Sequence, residues 1–231
     1  LTWWKDTSFK VINIKDLVKN GANTIEFIGS FSQRQKVYDV LFGENVLETE
    51  RNKLTYDTEI ESVYLKGDFG VFCDKGWTEG DRRAIFTDGS FTLGNRPDKL
   101  LTGDLVRGGH TFFAGEITLK QTVKVKKSYG KRVRVSFDRP YASCATLFVN
   151  GRKVKTFLWS DYTADVTDYV ERGDNEIAVR LTISNRNFLG PHHHPHGESY
   201  SVTPHSFGPN RNYSPSGWRD RYCFVKTGFG E

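Results

Sequence analysis

The sequence contains no methionine, only three cysteines, and no apolar run near the ~18 residues that a membrane-crossing helix requires. Its first residues, LTWWKDTSFK, lack the charged-then-apolar pattern of a secretory signal. With Leu1 in first place and no initiator, the expectation is a segment of a longer protein, so missing targeting signals are uninformative about the parent. Cys73, Cys144 and Cys223 cannot all pair within the chain, and runs such as YASCATLFV and RYCFV point to reduced core thiols. No window of 12 residues carries a helical stripe; the longest candidate, IKDLVKN, is about two turns and stops at Gly21. Glycine-bearing runs such as GDFGVF and GFGE lack the helix and lysine of a phosphate loop, and there is no serine-nucleophile motif.

Aromatics and turn formers are plentiful. Seventeen Phe, ten Tyr and five Trp beside 22 Gly suit strands joined by tight turns, so the chain reads as all-β. Its 231 residues allow one large domain or two smaller ones. Period-two patterns dominate the second half: Ile117, Leu119, Val123 and Val125; Val133, Val135 and Phe137; Ala145, Leu147 and Val149; Ile177, Val179, Leu181 and Ile183. Asn150-Gly151 is a two-residue hairpin turn, because both central positions need positive φ. The formal charge of +5 does not imply nucleic acid: in KVKKSYGKRVRV the basic residues alternate with Val, as on the solvent face of an antiparallel hairpin.

A repeated unit organises the chain. Residues 16–27, DLVKNGANTIEF, and 168–179, DYVERGDNEIAV, match at Asp16/Asp168, Val18/Val170, Gly21/Gly173, Asn23/Asn175 and Ile25/Ile177. Upstream, Trp4 aligns with Trp159 across a gap. The unit reads as a connector in which Asp caps one helical turn, Gly ends it in the left-handed region, Asn holds the next turn, and a strand follows.

The run ATLFVNGRKV, then YTADVTDYVERGDNEIAVRL, resembles the sugar-binding, galactose-binding-like jelly-roll domain of family 2 glycoside hydrolases. The likeness rests on Val149, Asn150, Gly151, Val154, Asp165, Val166, Thr167, Asp168, Gly173, Asn175 and Ile177. HTFFAGEITLKQTVKV and DRYCFVKTGF are similar to C-terminal modules of α-L-rhamnosidase-like bacterial proteins. The resemblance implies a jelly-roll β-sandwich at residues 91–231, preceded by an incomplete one at 1–90 whose connector lacks the strands that should come before it. It further implies a carbohydrate-binding accessory domain without catalytic residues of its own, beside the catalytic domain of the same parent. That parent would be soluble and bacterial, cytoplasmic or secreted, with no nucleic-acid or membrane partner. No cofactor is required, and a structural calcium held by loop carbonyls and carboxylates stays open. A purely structural module and a fragment with its own hydrolase activity are the alternatives.

The most unusual stretch is residues 188–222, FLGPHHHPHGESYSVTPHSFGPNRNYSPSGWRDRY, with five of the six histidines. Adjacent imidazoles cannot readily face one ion, and no Cys or acidic partner has the usual zinc spacing, so a packed loop is expected and metal binding stays open. A sugar presents apolar ring faces edged by hydroxyls, which aromatic rings and polar side chains recognise together. The candidate carbohydrate-binding residues are Trp159, His192, His194, Arg211, Tyr213, Trp218, Arg219 and Asp220. Glu116, Glu198 and Asp220 are the conceivable carboxylates for hydrolysis, with nothing marking a pair.

Overall fold

The computed structural model describes residues 2–4, 6–60, 62–100, 103–126, 128–207 and 219–229, without the side chains of Pro204 and His205. Strands account for 31% of the chain and helices for 10%, so it is an all-β protein in which helices serve as connections. It divides into two compact units, Leu1–Leu65 and Lys66–Glu231. No helix among the described residues is long and apolar enough to cross a membrane.

In the first unit β1 (Thr2–Trp4) and β2 (Asp6–Val11) pair antiparallel, and the first connector follows. Two helices come next, α1 (Gln35–Phe42) and α2 (Glu48–Asn52). They depart from the all-strand expectation because α1 is only eight residues long, too short to stand out in a 12-residue window. Its apolar Val37, Val40 and Leu41 nonetheless recur at helical spacing, with Val37 the buried one. Asp57 anchors the entry to α1 by accepting the Arg34 backbone N–H at 2.8 Å and pairing with its guanidinium at 2.7 Å.

The second unit opens with β3 (Gly70–Cys73), β4 (Thr78–Glu79), β5 (Ala84–Thr87) and β6 (Phe91–Gly94). Its main sheet is built from β7 (Gly115–Val125), β9 (Cys144–Val149), β10 (Arg152–Phe157) and β12 (Gly173–Ile183), in the order β10-β9-β12-β7, all antiparallel. Across from it lies the pair β8 (Arg134–Ser136) and β11 (Thr163–Asp165). Ala145, Leu147 and Val149 of β9 and Val179, Leu181 and Ile183 of β12 turn inward, meeting Phe157, Ala164, Val166 and Val170 in one sandwich core. Each such buried Val, Leu, Ile or Phe side chain contributes roughly 1.5–3 kcal/mol.

KVKKSYGKRVRV is not a hairpin. Its first arm belongs to β7, which pairs along its whole length with β12, whereas its second arm is β8, which pairs with β11. The segment therefore crosses between the sheets. Alternation fixes which face a residue uses and leaves the partner strand open.

A smaller sheet, β13-β5-β4, is closed by the last strand, β13 (Tyr222–Val225), with β3 and β6 paired separately. Its centre is aromatic: Phe224 contacts Trp77, Phe91 and Phe112 edge to face at 5.0–5.8 Å, beside buried Ile85 and Val106.

The repeated connector keeps its hydrogen bonds in both copies. Asn175 donates to the carbonyls of Glu171 (2.9 Å) and Gly173 (2.8 Å) and accepts from Glu171 N–H (2.8 Å). Asn23 donates to Lys19 (2.7 Å) and Gly21 (3.0 Å) and accepts from Lys19 N–H (2.9 Å). Gly173 and Gly21 both sit in the left-handed region, at φ 107° and 93°. The cap, however, is not Asp16 or Asp168. Asn13 and Asp165, three residues earlier, accept the N–H of Lys15 and Thr167 at 3.0 Å each. An Asx side chain reaches the amide two residues ahead, so the cap must precede the turn that Asp16 and Asp168 lie within. The Thr167 hydroxyl and then the Thr167 N–H hold the Asp165 carboxyl below the usual carboxylate range.

The copies differ in their surroundings. Asn175 is buried and also accepts from Asn150 Nδ2 at 2.9 Å, whereas Asn23 is exposed. Asn175→Ala is expected to destabilise the chain by about 2–4 kcal/mol, since several buried groups lose partners that water cannot replace. Asn23→Ala should cost less than about 1 kcal/mol at its solvated site. Urea unfolding monitored by tryptophan fluorescence and hydrogen exchange of the second unit checks both.

Candidate functional site

Where β12 ends, the chain enters α3 (Arg186–Leu189) and then a loop laid over the small aromatic sheet. Asn187, 1% exposed, acts as a strand residue towards β13: its Nδ2 donates to the Val225 carbonyl at 2.8 Å and its Oδ1 accepts from Val225 N–H at 2.9 Å. His192 Nε2–H donates to the Asn187 carbonyl at 2.8 Å, which fixes the tautomer. Its ring packs 5.4 Å from Phe112 and 5.1 Å from Phe224. Burial, with the Arg186 and His193 charges adding to it, lowers the His192 pKa to about 4.

The histidine run continues as a strap along the approach to β13. Arg219 N–H donates to the His193 carbonyl at 3.2 Å, His193 Nδ1 lies 2.9 Å from the Arg219 carbonyl, and Cys223 N–H donates to the His192 carbonyl. The Cys223 thiol is buried, which raises its pKa and makes it a poor nucleophile.

Beyond the strap, Glu198 accepts from Arg186 Nε (2.9 Å) and Nη2 (2.8 Å) in a forked pair whose side chains are 11% and 23% exposed, arginine first. Arg82 Nε–H donates to the Glu198 carbonyl, and its guanidinium lies 4.2 Å over the ring of Tyr200, which is 92% exposed. Gly197 lets this turn approach Asp81: a Cβ there would come within 3.0 Å of the Asp81 carbonyl oxygen. Arg82 and Arg83 both adopt positive φ, 53° and 67°, a left-handed pair without glycine. Arg221 lies 3.9 Å over Phe86 and reaches Thr78 at 3.5 Å. Buried Arg186 Nη1, Arg221 Nε and His194 Nδ1 make no hydrogen bond to any described residue.

Among the sequence candidates, His192 lies against the aromatic centre, His194 is half-buried with Nε2 3.4 Å from Ser199 Oγ, and Arg219 and Asp220 are exposed beside the strap. Trp159 is 73% exposed on the β10–β11 loop, with no described contact joining it to the strap. Arg211, Tyr213 and Trp218 lie outside the described residues. Sequence reasoning missed Arg82, Arg186, Asn187, Tyr200 and Arg221. Arg82 meets Glu198 across 116 residues of chain, a distance no local pattern spans. No group of three or more His, Cys, Asp or Glu among the described residues is arranged to hold a metal ion.

A cavity of about 300 Å³ opens between the sheets, lined mainly by Val123, Val125, Val133, Val135, Val166 and Val170. Gln121, Arg134 and Ser136 are its polar lining.

No protein-family model and no curated protein matches this chain. Among solved structures it is similar to a rhamnosidase from Novosphingobium sp. PP1Y, with 20% identity and a TM-score of 0.32, covering 57% of this chain and 12% of that one. It is also similar to an FMN-binding β-glucuronidase from Facaelibacterium prausnitzii L2-6 (22% identity, TM-score 0.30, 51% of this chain and 18% of that one). A glycosyl hydrolase family 2 member from Bacteroides cellulosilyticus DSM 14838 matches at 25% identity and a TM-score of 0.28, over 50% and 17% of the two chains. These neighbours are glycoside hydrolases, and the chain spans less than a fifth of each.

The depressed pKa of His192 sets a pH dependence. Its value falls from 6.5 to about 4 on folding, so in that window the unfolded chain binds a proton that the folded chain refuses. Stability should therefore decline as pH drops from about 6.5 towards 4, and burial of His110 acts in the same sense. The expected result is a urea midpoint that falls across this window, with a shallower slope for His192→Gln, which keeps a donor for the Asn187 carbonyl.

Proposed function

We propose that this chain is a non-catalytic accessory domain of a larger glycoside hydrolase, and that it binds carbohydrate through the face formed by residues 80–83 and 197–200. The carrying observation is the Arg82–Tyr200 clasp: an exposed aromatic ring with one face under a guanidinium fixed by the Glu198 carbonyl. Such a pairing offers an apolar platform for a sugar ring together with N–H donors for its hydroxyls. Trp159 supplies a second exposed platform on the main sandwich, and Arg219 and Asp220 add polar groups beside the strap. His192, turned into the aromatic centre, supports the loop from beneath.

Binding without chemistry fits the engagement of two of the three candidate carboxylates. Glycoside hydrolysis needs two carboxyl groups facing one another about 5–10 Å apart. Glu198 is instead clamped by Arg186, and Glu116 of β7 lies 3.7 Å from Arg180 on β12.

Screening the whole chain on a glycan array tests this reading. Binding to at least one glycan is expected, with Tyr200→Ala and Trp159→Ala each weakening it about tenfold, or ~1.4 kcal/mol. Circular dichroism of the variants should be unchanged, since both side chains are exposed. An array with no bound glycan, or binding indifferent to both substitutions, would overturn the proposal.

A further inference from the structure

The hairpin between β4 and β5 turns on residues that its geometry disfavours. Gly80 N–H donates to the Ala84 carbonyl at 2.8 Å and Ala84 N–H donates to the Asp81 carbonyl, so Arg82 and Arg83 occupy the two central positions. Both have positive φ, 53° and 67°. A tight turn of that hand is ordinarily made by Asn-Gly, as at Asn150-Gly151 in this same chain, where φ is 50° and 76°. A long side chain is strained there, and two strained residues in succession persist only where their surroundings hold them.

Held in this way, the turn sets each arginine over a tyrosine. Lys226 N–H donates to the Arg83 carbonyl at 3.0 Å, and Arg82 Nε–H donates to the Glu198 carbonyl. The Arg82 guanidinium lies 4.2 Å from the centre of the Tyr200 ring, and that of Arg83 lies 5.1 Å from the centre of the Tyr141 ring. Tyr141 is itself fixed by exchanging backbone hydrogen bonds with Gly228 at 2.7 and 3.1 Å. The nearby acids belong to other cations: Glu198 to Arg186, and Glu79 to Arg107 and Lys226. Both turn arginines are exposed, and neither has an ion-pair partner among the described residues. Exposed Asp81, likewise unpaired among them, offsets one of the two charges and leaves the other.

We infer that the ligand of this face is an acidic saccharide, whose carboxylate or sulfate oxygens are received by Arg82 and Arg83 while a sugar ring lies on Tyr200. The inference rests on the carbohydrate-binding reading above and adds the charge of the ligand to it. The planar fork of a guanidinium matches the paired oxygens of either anion, and hydrogen bonds to an ionised group are stronger than those to a neutral hydroxyl. Arg82 spends only its Nε–H on the Glu198 carbonyl, so both terminal nitrogens of its fork face outward without a described partner. A neutral sugar would use the tyrosine and leave the strained arginine pair unexplained.

The whole chain is screened on an array printed with neutral, uronate-bearing and sulfated oligosaccharides, which separates the two anions. The tightest acidic binder is then titrated beside its carboxyl-reduced or desulfated counterpart. Removing the anionic group is expected to weaken binding at least about tenfold. Added salt should weaken the acidic ligand and leave its neutral counterpart unaffected. The double variant Arg82→Asn/Arg83→Gly installs the residues that the turn prefers and removes both guanidinium groups. It should melt about 2–4 °C higher than the unsubstituted chain and lose the preference for the acidic ligand. Neutral and acidic ligands bound alike would overturn the inference and leave carbohydrate binding standing, whereas an array with nothing bound removes the reading beneath it. A double variant that keeps the acidic preference places the anion elsewhere, and one that melts lower makes the arginines structural; either result also overturns the inference.

Discussion

The carboxamide of Asn175 joins three pieces of backbone that would otherwise be independent. It closes the connector by bonding both groups of Glu171 and the carbonyl of Gly173, and it receives the turn asparagine of the neighbouring hairpin. Asn150 then fixes where β12 begins against β9, because its own side chain takes the Glu176 amide. Register follows from that anchor: with Ile177 opposite Val149, every second residue of both strands faces the core, and a slip by one would turn Leu147, Val149 and Leu181 outward. The buried amide thus specifies a pairing that hydrophobic burial stabilises but cannot choose.

The same division of labour recurs in the small sheet. Phe91, Phe112 and Phe224 supply the apolar attraction, while Asn187 supplies the address, pairing with both backbone groups of Val225. His192 is bound to Asn187 and packed edge-on or tilted among these rings, so the histidine run is drawn in from one end and laddered to Arg219 at the other. The loop between these anchors carries Glu198 and Tyr200 towards Arg82. A left-handed arginine pair and a glycine that admits Asp81 at close range mark where backbone freedom is spent to bring the two turns together.

Much of this was legible in the sequence, and the limits follow from physics. β9, β12 and the Asn150-Gly151 turn are local patterns, and they form where period two and turn chemistry place them. The connector was legible as a repeat, but its cap was assigned three residues late, since Asp, Asn and Ser compete for that role and only the turn's position decides among them. The partnership of β7 with β12 was hidden because alternation carries no information about which strand lies alongside. The clasp was hidden for a stronger reason: Arg82 and Glu198 are ordinary polar residues until the aromatic sheet brings β5 and β13 together.

The paired connectors separate what a sequence encodes locally from what it acquires from neighbours. Residues 13–23 and 165–175 make the same bonds with the same left-handed glycine, so the turn is a local object. The stretch that follows is different. ITLKQTVKV and ATLFV meet β12 on its two sides and make it a strand, while TIEFIGSF, equally rich in β-forming residues, remains outside any sheet among the described residues. Being a strand is a relation between segments: propensity supplies the willingness, and hydrogen-bonded neighbours supply the structure. In the first copy that relation is the one ingredient the local sequence cannot provide for itself.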